Sequence, residues 1–374
     1  MKIKIDRELL LNKLNKVYKF VPSKSIIPAL DNIKFEVKGN TMSITAFNGE
    51  IQCKLSCSVD CKESGFFCLP AKLFVSTVRL LRENELTLTV GEKKTTIKCG
   101  KSTYNIAVNV NADEFPFASF KDHKDEVTML QSAFSDFASK TSAFAGDDGL
   151  RPWMAGMNMS FNDKKEMVFV AATGFVMCKT VVPVISVGKW DNVTIPVTSV
   201  KKVCELCNKG EVNILSNGSA VMFSSAANSD EEFEVIATCI NENYPQTDFL
   251  FNAERNSHFL MNVSEVIDSV NRVDLYANPL LGSINLKLIG GELTIIGNDD
   301  DFGNDGTEII SVTNENNFSM DINLSAAQIN KILGCIDEVE CFLKWAEKDS
   351  VPVLLQGKNE FVNFQFLVTK LKGA

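Results

Sequence analysis

The chain has 374 residues, of which 45% are hydrophobic and 23% are charged, and its formal net charge is −9. This composition is ordinary for a folded globular protein, and no stretch approaches the roughly 18 consecutive apolar residues of a membrane-spanning helix. The eleven cysteines show no secreted-type framework and no apolar signal segment opens the sequence. We therefore expect a reducing, cytoplasmic environment.

Apolar periodicity predicts a strand at residues 2–5 and then a helix over 6–20 with Asp6 as its N-cap. This helix would bury Leu10, Leu14 and Val17 on one face. The remaining elements of the first third are strands at 32–38, 41–47, 51–58, 86–90, 95–99 and 104–108 and a helix at 70–82. The later parts of the chain repeat this order, with further helices at 128–144, 196–209, 261–274 and 324–335.

Two separate markers show that the sequence repeats itself three times. An apolar hairpin pattern begins at Ile33, Met157 and Ile284, at spacings of 124 and 127 residues. A short amphipathic helix begins at 70, 196 and 324, at spacings of 126 and 128 residues. A period of this length matches one domain rather than a solenoid unit. We therefore predict three copies of one domain, at 1–121, 122–250 and 251–374.

Charge is distributed unevenly between helices and the rest of the chain. The six predicted helices carry a formal charge of +6, which leaves −15 for all other residues. A basic helical layer beside acidic strands and loops indicates a face that attracts a polyanion. Lysine also favours helix surfaces in general, so charge alone leaves both explanations open.

Three patterns resemble reactive or metal-binding sites, but each lacks a required part. They are the run Cys53, Cys57 and Cys61, the pair Cys204 and Cys207, and the acidic loop over 298–305. The run lacks a fourth ligand, the pair lies inside a predicted helix, and the loop lacks the glutamate that closes a calcium site. We predict no catalytic residue, no cofactor and no metal site.

Five motifs, taken in order and spacing, resemble the bacterial DNA polymerase III beta subunit, the sliding clamp. They are Lys-Ser-Ile-Ile-Pro-Ala-Leu-Asp-Asn at 24–32, Pro-Ala-Lys-Leu at 70–73, Asp-Glu-Phe-Pro at 113–116, Leu-Arg-Pro-Trp-Met-Ala-Gly at 150–156 and Tyr-Pro at 244–245. The resemblance covers all three repeats. It implies an α+β fold of three repeated two-helix, β-rich domains of the DNA clamp type, forming a ring as a head-to-tail dimer.

The resemblance also implies a function and partners. A DNA sliding clamp encircles duplex DNA as a homodimeric ring, without reading its sequence, and tethers the replicative DNA polymerase. It is a non-catalytic processivity factor without a cofactor, and its polymerase and clamp loader dock in a hydrophobic cleft. The residues expected to face DNA are Lys13, Lys16, Lys24, Lys72, Arg79, Arg82, Lys140, Lys201, Lys202, Arg272 and Lys331.

Two further surfaces follow from the resemblance. The dimer interface is expected at Tyr104, Leu275 and Tyr276. The partner-peptide cleft is expected at Met154, Gly174, Phe175, Val176, Met177, Pro245, Phe249, Leu250 and Val368. In this cleft the family's Thr-Asp-Gly-His-Arg-Leu is replaced by Ala-Thr-Gly-Phe-Val-Met at 172–177. The change removes polar and basic groups, and it leaves open whether Phe175 fills and closes the pocket.

Two alternatives remain open from the sequence. The first is an interaction scaffold with the clamp fold that has lost the ring and acts without DNA. The second is an enzyme that uses Cys204 and Cys207 or the acidic loop.

Overall fold

The protein is described from a computed structural model, which covers residues 1–108, 110–122, 125–146, 149–162, 164–226, 228–359 and 364–371. Each of the six predicted helices contains an observed helix, and a short helix that the sequence did not predict precedes the third repeat. The helices are α1 (Arg7–Val17), α2 (Ala71–Leu80), α3 (Gln131–Ser142), α4 (Val197–Cys204), α5 (Asp248–Phe251), α6 (Val263–Asp274) and α7 (Ala326–Leu333).

Strands make up most of the remaining regular structure. In the first third they are β1 (Lys2–Asp6), β2 (Asn32–Lys38), β3 (Thr41–Phe47), β4 (Ile51–Ser58), β5 (Asp60–Cys61), β6 (Gly65–Pro70), β7 (Glu85–Val90), β8 (Lys94–Cys99) and β9 (Ser102–Ala107). In the second third they are β10 (Asp125–Leu130), β11 (Gly156–Phe161), β12 (Met167–Ala172), β13 (Val176–Val182), β14 (Ser186–Val187), β15 (Val193–Pro196), β16 (Glu211–Ser216), β17 (Ala220–Ser225) and β18 (Phe233–Thr238). In the last third they are β19 (Ser257–Asn262), β20 (Ser283–Ile289), β21 (Glu292–Asp299), β22 (Asn304–Ser311), β23 (Met320–Ser325), β24 (Glu340–Trp345), β25 (Val353–Gly357) and β26 (Phe364–Val368).

The first helices of the three repeats bury matching faces, and two of them are capped in the same way. Asp6 and Asn262 cap α1 and α6, because their side chains accept hydrogen bonds from the amides three residues on, at 2.9 and 3.1 Å. Each helix then buries one stripe of side chains at matching positions. The stripes are Leu10, Leu14 and Val17 in α1, Phe134, Ala138 and Thr141 in α3, and Val266, Val270 and Val273 in α6. The predicted repeat is therefore confirmed at the level of helix packing.

The chain divides into two compact units, Met1–Asp136 with Pro183–Asn241 and Phe137–Val182 with Glu242–Ala374. We call them the first and second unit. This division differs from the three predicted domains, whose boundaries at 121/122 and 250/251 fall inside the first and the second unit respectively. The domain boundaries stay a prediction.

The first unit contains two antiparallel sheets. Their strand orders are β5-β1-β7-β8-β9 and β14-β10-β16-β17-β18-β4-β3-β2-β6. The second of these sheets is continuous across two repeats, because β18 of the second repeat pairs with β4 of the first. Helix α2 packs on it through Phe74, whose ring meets the Phe35 ring edge-on at 5.4 Å.

The second unit repeats this arrangement with the next pair of repeats. It contains the strand orders β11-β12-β13-β26-β25-β24-β19 and β22-β21-β20-β23. Here β26 of the third repeat pairs with β13 of the second. One large apolar core, which includes Phe144, Phe259 and Phe366, lies between the strands and helices α6 and α7.

Candidate functional site

Several of the basic side chains predicted to face DNA are exposed on helices of the first unit or on the segments beside them. These are Lys24, Lys72, Arg79, Arg82 and Lys201. Arg79 also joins two helices, because its Nη2 donates a hydrogen bond to Asn15 Oδ1 of α1 at 2.9 Å. Lys72 and Arg79 lie two helical turns apart on α2 and so share a face.

Lys13 and Lys16 of α1 are engaged within the first unit. Both ammonium groups bind the carboxylate of Glu231, with Lys13 Nζ at 2.7 Å, and the Lys13 and Glu231 side chains are largely buried. Burial alone would raise the pKa of Glu231, but the hydrogen bonds from the two lysines outweigh it and lower that pKa. Lys13 and Lys16 therefore join the first two repeats.

Lys140 and Arg272 occupy the positions of Lys16 in the second and third repeats. Lys140 forms an ion pair with Asp337 and lies over the Phe364 ring, 5.2 Å from its centre. Arg272 binds Glu308 of β22 through two nitrogens, at 2.8 and 2.9 Å. This hydrogen-bonded pair raises the pKa of Arg272 and lowers that of Glu308. Both cations thus have protein anions as partners.

Lys202 of α4 and Lys331 of α7 also share one repeat position, and each ammonium lies over an aromatic ring. Lys202 Nζ is 5.4 Å from the centre of Phe20, and Lys331 Nζ is 5.0 Å from the centre of Phe144. Burial lowers the pKa of Lys202. Lys331 keeps an exposed side chain, so it can hold this contact and still face solvent.

The predicted interface residues Tyr104, Leu275 and Tyr276 are all exposed, and Leu275 is the most exposed of the three at 81%. Tyr104 lies on β9, the outermost strand of its sheet among the described residues. Tyr276 lies against β22, also an outermost described strand, because a Cβ placed on Gly306 would be 2.8 Å from the Tyr276 ring. Each unit therefore presents an aromatic side chain at a sheet edge.

These two edges correspond to the strands that pair inside each unit. Cys53 on β4 lies opposite Val235 on β18, and Cys178 on β13 lies opposite Phe366 on β26. Gly306 occupies the same repeat position as Cys53 and Cys178, because each lies opposite the equivalent residue of the preceding strand. These opposite residues are Ala46 for Cys53, Ala171 for Cys178 and Gly297 for Gly306. In the same way, Tyr104 occupies the repeat position of Val235 and Phe366. The residues opposite them are Ile97 for Tyr104, Phe223 for Val235 and Leu355 for Phe366. Gly306 and Tyr104 are thus the third copy of a pairing that the chain makes twice.

The predicted peptide cleft is centred on β13, and the alternation of this strand divides its residues between two faces. Val176 points into the large core of the second unit together with Val368, its cross-strand neighbour. Neither residue lines a cleft, which corrects that prediction; the cause is the two-residue period of a strand. Met177 points to the opposite face beside Leu367. Leu367 is itself 3% exposed, so it supports this face from within the apolar cluster on which Met177 packs.

The face that carries Met177 is apolar and partly covered. Met177 packs against two buried clusters, one that contains Tyr244 and one that contains Phe251 and Leu367. The Tyr244 hydroxyl is buried and has no hydrogen-bond partner among the described residues. Burial raises the pKa of this phenol, so it stays neutral.

Exposed aromatic side chains surround this apolar face. Phe175 is 62% exposed and Phe249 is 68% exposed, so Phe175 does not fill a closed pocket. Pro245 is exposed, no atom lies within 4 Å of a Cβ placed on Gly174, and Met154 is buried. Lys179 forms an ion pair with Asp248 at 2.6 Å and anchors α5 beside the strand.

The second unit therefore carries one apolar patch, which we call the β13 patch. It consists of Gly174, Phe175, Met177, Pro245, Phe249 and Leu250, and the buried Leu367 belongs to the cluster on which Met177 and Leu250 pack. Sequence reasoning missed Leu367, although the alternation of Phe364, Phe366 and Val368 into the core would have placed it on the outer face.

The residues considered for chemistry have no matching environment. Among the described residues no group of three or more metal-binding side chains is placed to hold an ion. Burial raises the pKa of the Cys207 thiol, so this thiol remains protonated and weakly nucleophilic. No helix within the described ranges is long and apolar enough to cross a membrane.

Comparisons with known proteins agree on one family. The model of the DNA polymerase III beta subunit, N-terminal domain, matches residues 1–119. The beta sliding clamp of Staphylococcus epidermidis is 21% identical over 304 residues, which cover 78% of this chain and 79% of that protein. The beta sliding clamp of Lactococcus lactis is 22% identical over 385 residues, which cover 100% of this chain and 99% of that protein.

Solved structures show the same fold over the whole chain. The sliding clamp (DNA polymerase III subunit beta) of Pseudomonas aeruginosa, bound to griselimycin, superposes with a TM-score of 0.91 at 19% identity, covering 100% of both chains. The beta subunit of the Streptococcus pyogenes DNA polymerase superposes with a TM-score of 0.92 at 18% identity, again covering 100% of both chains. The predicted α+β clamp fold is thereby confirmed.

Proposed function

We propose that this chain, a divergent member of the DNA polymerase III beta subunit family, is a DNA sliding clamp that closes around duplex DNA as a homodimer. The observation that carries the proposal is a pair of sheet edges that match the strands joined at the two internal junctions between repeats. The chain pairs successive repeats twice with one strand register, and it leaves the two halves of a third pairing at outermost strands, with Gly306 on β22 and Tyr104 on β9.

A second copy of the chain supplies the missing halves. An exposed sheet edge is a template for pairing with another chain. Because β22 and β9 are different surfaces, the contact between copies is head-to-tail, and two such contacts close a ring if the rotation permits. In the internal junction Phe144 lies 5.2 Å from Phe366. By repeat position, Tyr276 of one copy takes the place of Phe144 and Tyr104 of the other takes the place of Phe366.

Exposed cations of the helices supply the contact with DNA. Lys24, Lys72, Arg79, Arg82 and Lys201 attract phosphates regardless of base sequence, and screened contacts of this kind allow sliding. Lys13, Lys16, Lys140 and Lys202 mainly hold neighbouring repeats together through the ion pairs and ring contacts described above. Arg272 is paired with Glu308 inside the third repeat. We keep Lys331 as a further DNA contact.

The β13 patch is the proposed docking site for partners. Exposed Phe175 and Phe249 and the half-buried Met177 suit a short peptide with apolar anchors from a polymerase or a clamp loader. The site is non-catalytic, and the protein acts in the cytoplasm, where bacterial DNA is replicated. The scaffold alternative would keep this patch but would not need the exposed helix cations.

Covalent closure of the ring tests the proposal directly. By the internal register, in which Glu234 lies opposite Lys54 and Gln365 opposite Lys179, Thr103 of one copy lies opposite Thr307 of the other. The double variant Thr103→Cys, Thr307→Cys is loaded on nicked circular DNA, oxidised and denatured. A covalently closed ring that encircles the DNA stays on the circular DNA after denaturation and dissociates once the DNA is linearised.

Each single cysteine variant is the matched control, because it has an introduced cysteine on only one side of the junction between copies, which we call the seam. If oxidation of the double variant gives no covalent dimer, that result would contradict the proposed junction. Equal retention on circular and linear DNA would contradict encirclement.

A further inference from the structure

The two internal junctions share a contact between a lysine and an aromatic ring. Lys202 lies over Phe20 in the first unit and Lys331 lies over Phe144 in the second unit. Phe20 and Phe144 are both buried, and each lies three residues after the last residue of its buried helix stripe, Val17 or Thr141. The same chemistry thus recurs at both junctions, although the rest of the sequence has diverged.

Tyr276 is the third copy of the ring. The Phe144 amide donates to the Thr141 carbonyl at 3.0 Å, and the Tyr276 amide donates to the Val273 carbonyl at 2.9 Å. Thr141 and Val273 are equivalent members of the buried helix stripes, so the two aromatic residues leave their helices in the same way. Tyr276 is 48% exposed, since no helix among the described residues covers it.

The covering helix at the other end of the chain is α2. Leu69 lies opposite Ile33 before α2, and Leu324 lies opposite Ile284 before α7. Ser76 follows Leu69 by the same number of residues as Lys331 follows Leu324. Ser76 therefore occupies, in the first repeat, the position that Lys331 occupies in the third.

The same face of α2 is uncovered, as the burial of its leucine shows. Leu80 of α2 is 80% exposed, whereas Leu206, at the equivalent position after α4, is 4% exposed. Ser76 and Leu73 on this face are exposed as well. An exposed apolar helix face and an exposed aromatic side chain are therefore the two halves of one junction.

We infer that Tyr276 of one copy packs on the Leu73–Ser76–Leu80 face of α2 in a second copy, and that Ser76 sets the strength of this seam because it replaces the lysine of the internal junctions. The inference rests on the proposed homodimer. A serine hydroxyl cannot supply the cation that attracts the face of an aromatic ring. The seam between copies is accordingly an apolar version of the internal junction.

The variant Ser76→Lys tests the inference by restoring the missing group. We expect the dimer dissociation constant, measured by sedimentation over a dilution series, to fall about 3- to 30-fold. Ser76→Met, which has a long apolar side chain without the charge, is the matched control and should give a much smaller change. In a Tyr276→Leu background, the gain from Ser76→Lys should disappear.

The outcomes separate this inference from the proposed function. A wild-type dimer that Ser76→Lys leaves unchanged or weakens overturns the inference alone. A gain that persists with Tyr276→Leu, or that Ser76→Met reproduces, also overturns it, because the ring and the charge are then not the cause. A wild-type chain that stays monomeric at every concentration overturns the proposed homodimer together with the seam. Circular dichroism melting confirms that each variant is folded.

Discussion

Glu231 is a largely buried carboxylate held between two lysines of α1, and its removal has a predictable cost. Glu231→Gln leaves Lys13 and Lys16 without their anion, so we expect a loss of about 2 kcal/mol in the free energy of unfolding at neutral pH. Because the lysines lower the pKa of Glu231 below its ordinary value of 4.5, the stabilisation is complete above that value. It is lost as the pH falls through the lowered pKa of the folded state.

Urea unfolding of the wild type and the variant across a pH series checks this expectation. The difference in midpoint should be constant near neutrality and should shrink in acid below the ordinary pKa of glutamate. The neighbouring Glu232→Gln, at an exposed site, should show no such difference. If the difference in urea midpoint between the wild type and Glu231→Gln is unchanged in strong acid, the glutamine itself disturbs the fold.

Phe249 is the most exposed aromatic residue of the β13 patch, and its side chain is the one most open to a partner. Phe249→Ala should weaken binding of a labelled peptide rich in Gln, Leu and Phe by about 5- to 30-fold, as expected for an aromatic anchor. Fluorescence anisotropy measures the affinity. Phe302→Ala, at a site that is 79% exposed in the loop after β21, is the matched control. Equal affinity for all three proteins would exclude the patch as the docking site.

Individual residue roles were harder to predict from the sequence than their positions. The repeat placed Lys16, Lys140 and Arg272 on matching helix faces, but their partners Glu231, Asp337 and Glu308 are distant in the sequence and follow no period. Basic character on a helix therefore did not distinguish a DNA contact from an ion pair within the protein. For Val176, alternation along the strand was readable, and the family resemblance led to the wrong face.

At the scale of elements, periodicity predicted the six longer helices and most strands of the first repeat to within a few residues, but it did not predict β5 (Asp60–Cys61) or β6 (Gly65–Pro70). Helix α5 has four residues, too few to show a helical period. The pairing of β18 with β4 and of β26 with β13 was also beyond the sequence, because strand alternation indicates which side chains are buried and not which strand is the neighbour. These pairings are the ones that define the junctions.

The edge strand β22 offers a test at this scale, through the glycine that Tyr276 covers. Gly306→Val places a side chain where the Tyr276 ring lies, since even a Cβ would approach it to 2.8 Å. The tyrosine must move, and we expect self-association, measured by sedimentation, to weaken about tenfold or more. Gly291→Ala at the preceding turn meets only the Val312 carbonyl at 3.5 Å and should leave the dimer intact. A dimer of unchanged affinity in Gly306→Val would place the seam elsewhere.

At the scale of the whole molecule, the separation of charge between helices and the remaining chain gives an acidic protein a local affinity for DNA. A net charge of −9 opposes non-specific binding, so any attraction depends on where the exposed cations are concentrated. Arg79 and Arg82 are both exposed, at the end of α2 and just beyond it. They carry no ion pair in the described structure, and Arg79 contacts only the neutral Asn15 among its hydrogen-bond partners there.

Reversing these two charges should weaken retention on DNA without dissolving the dimer. For Arg79→Glu, Arg82→Glu we expect the slope of log affinity against log salt to become shallower by roughly 2 to 4, because each of the two copies loses up to two phosphate contacts. The control Lys164→Glu, Lys165→Glu makes the same change in net charge at an exposed turn between β11 and β12, and it should retain the wild-type slope. Retention on nicked circular DNA over a salt series measures both variants, and sedimentation confirms that each remains a dimer. If the two double variants lose DNA equally, the total charge of the protein governs binding and the helices have no special part in it.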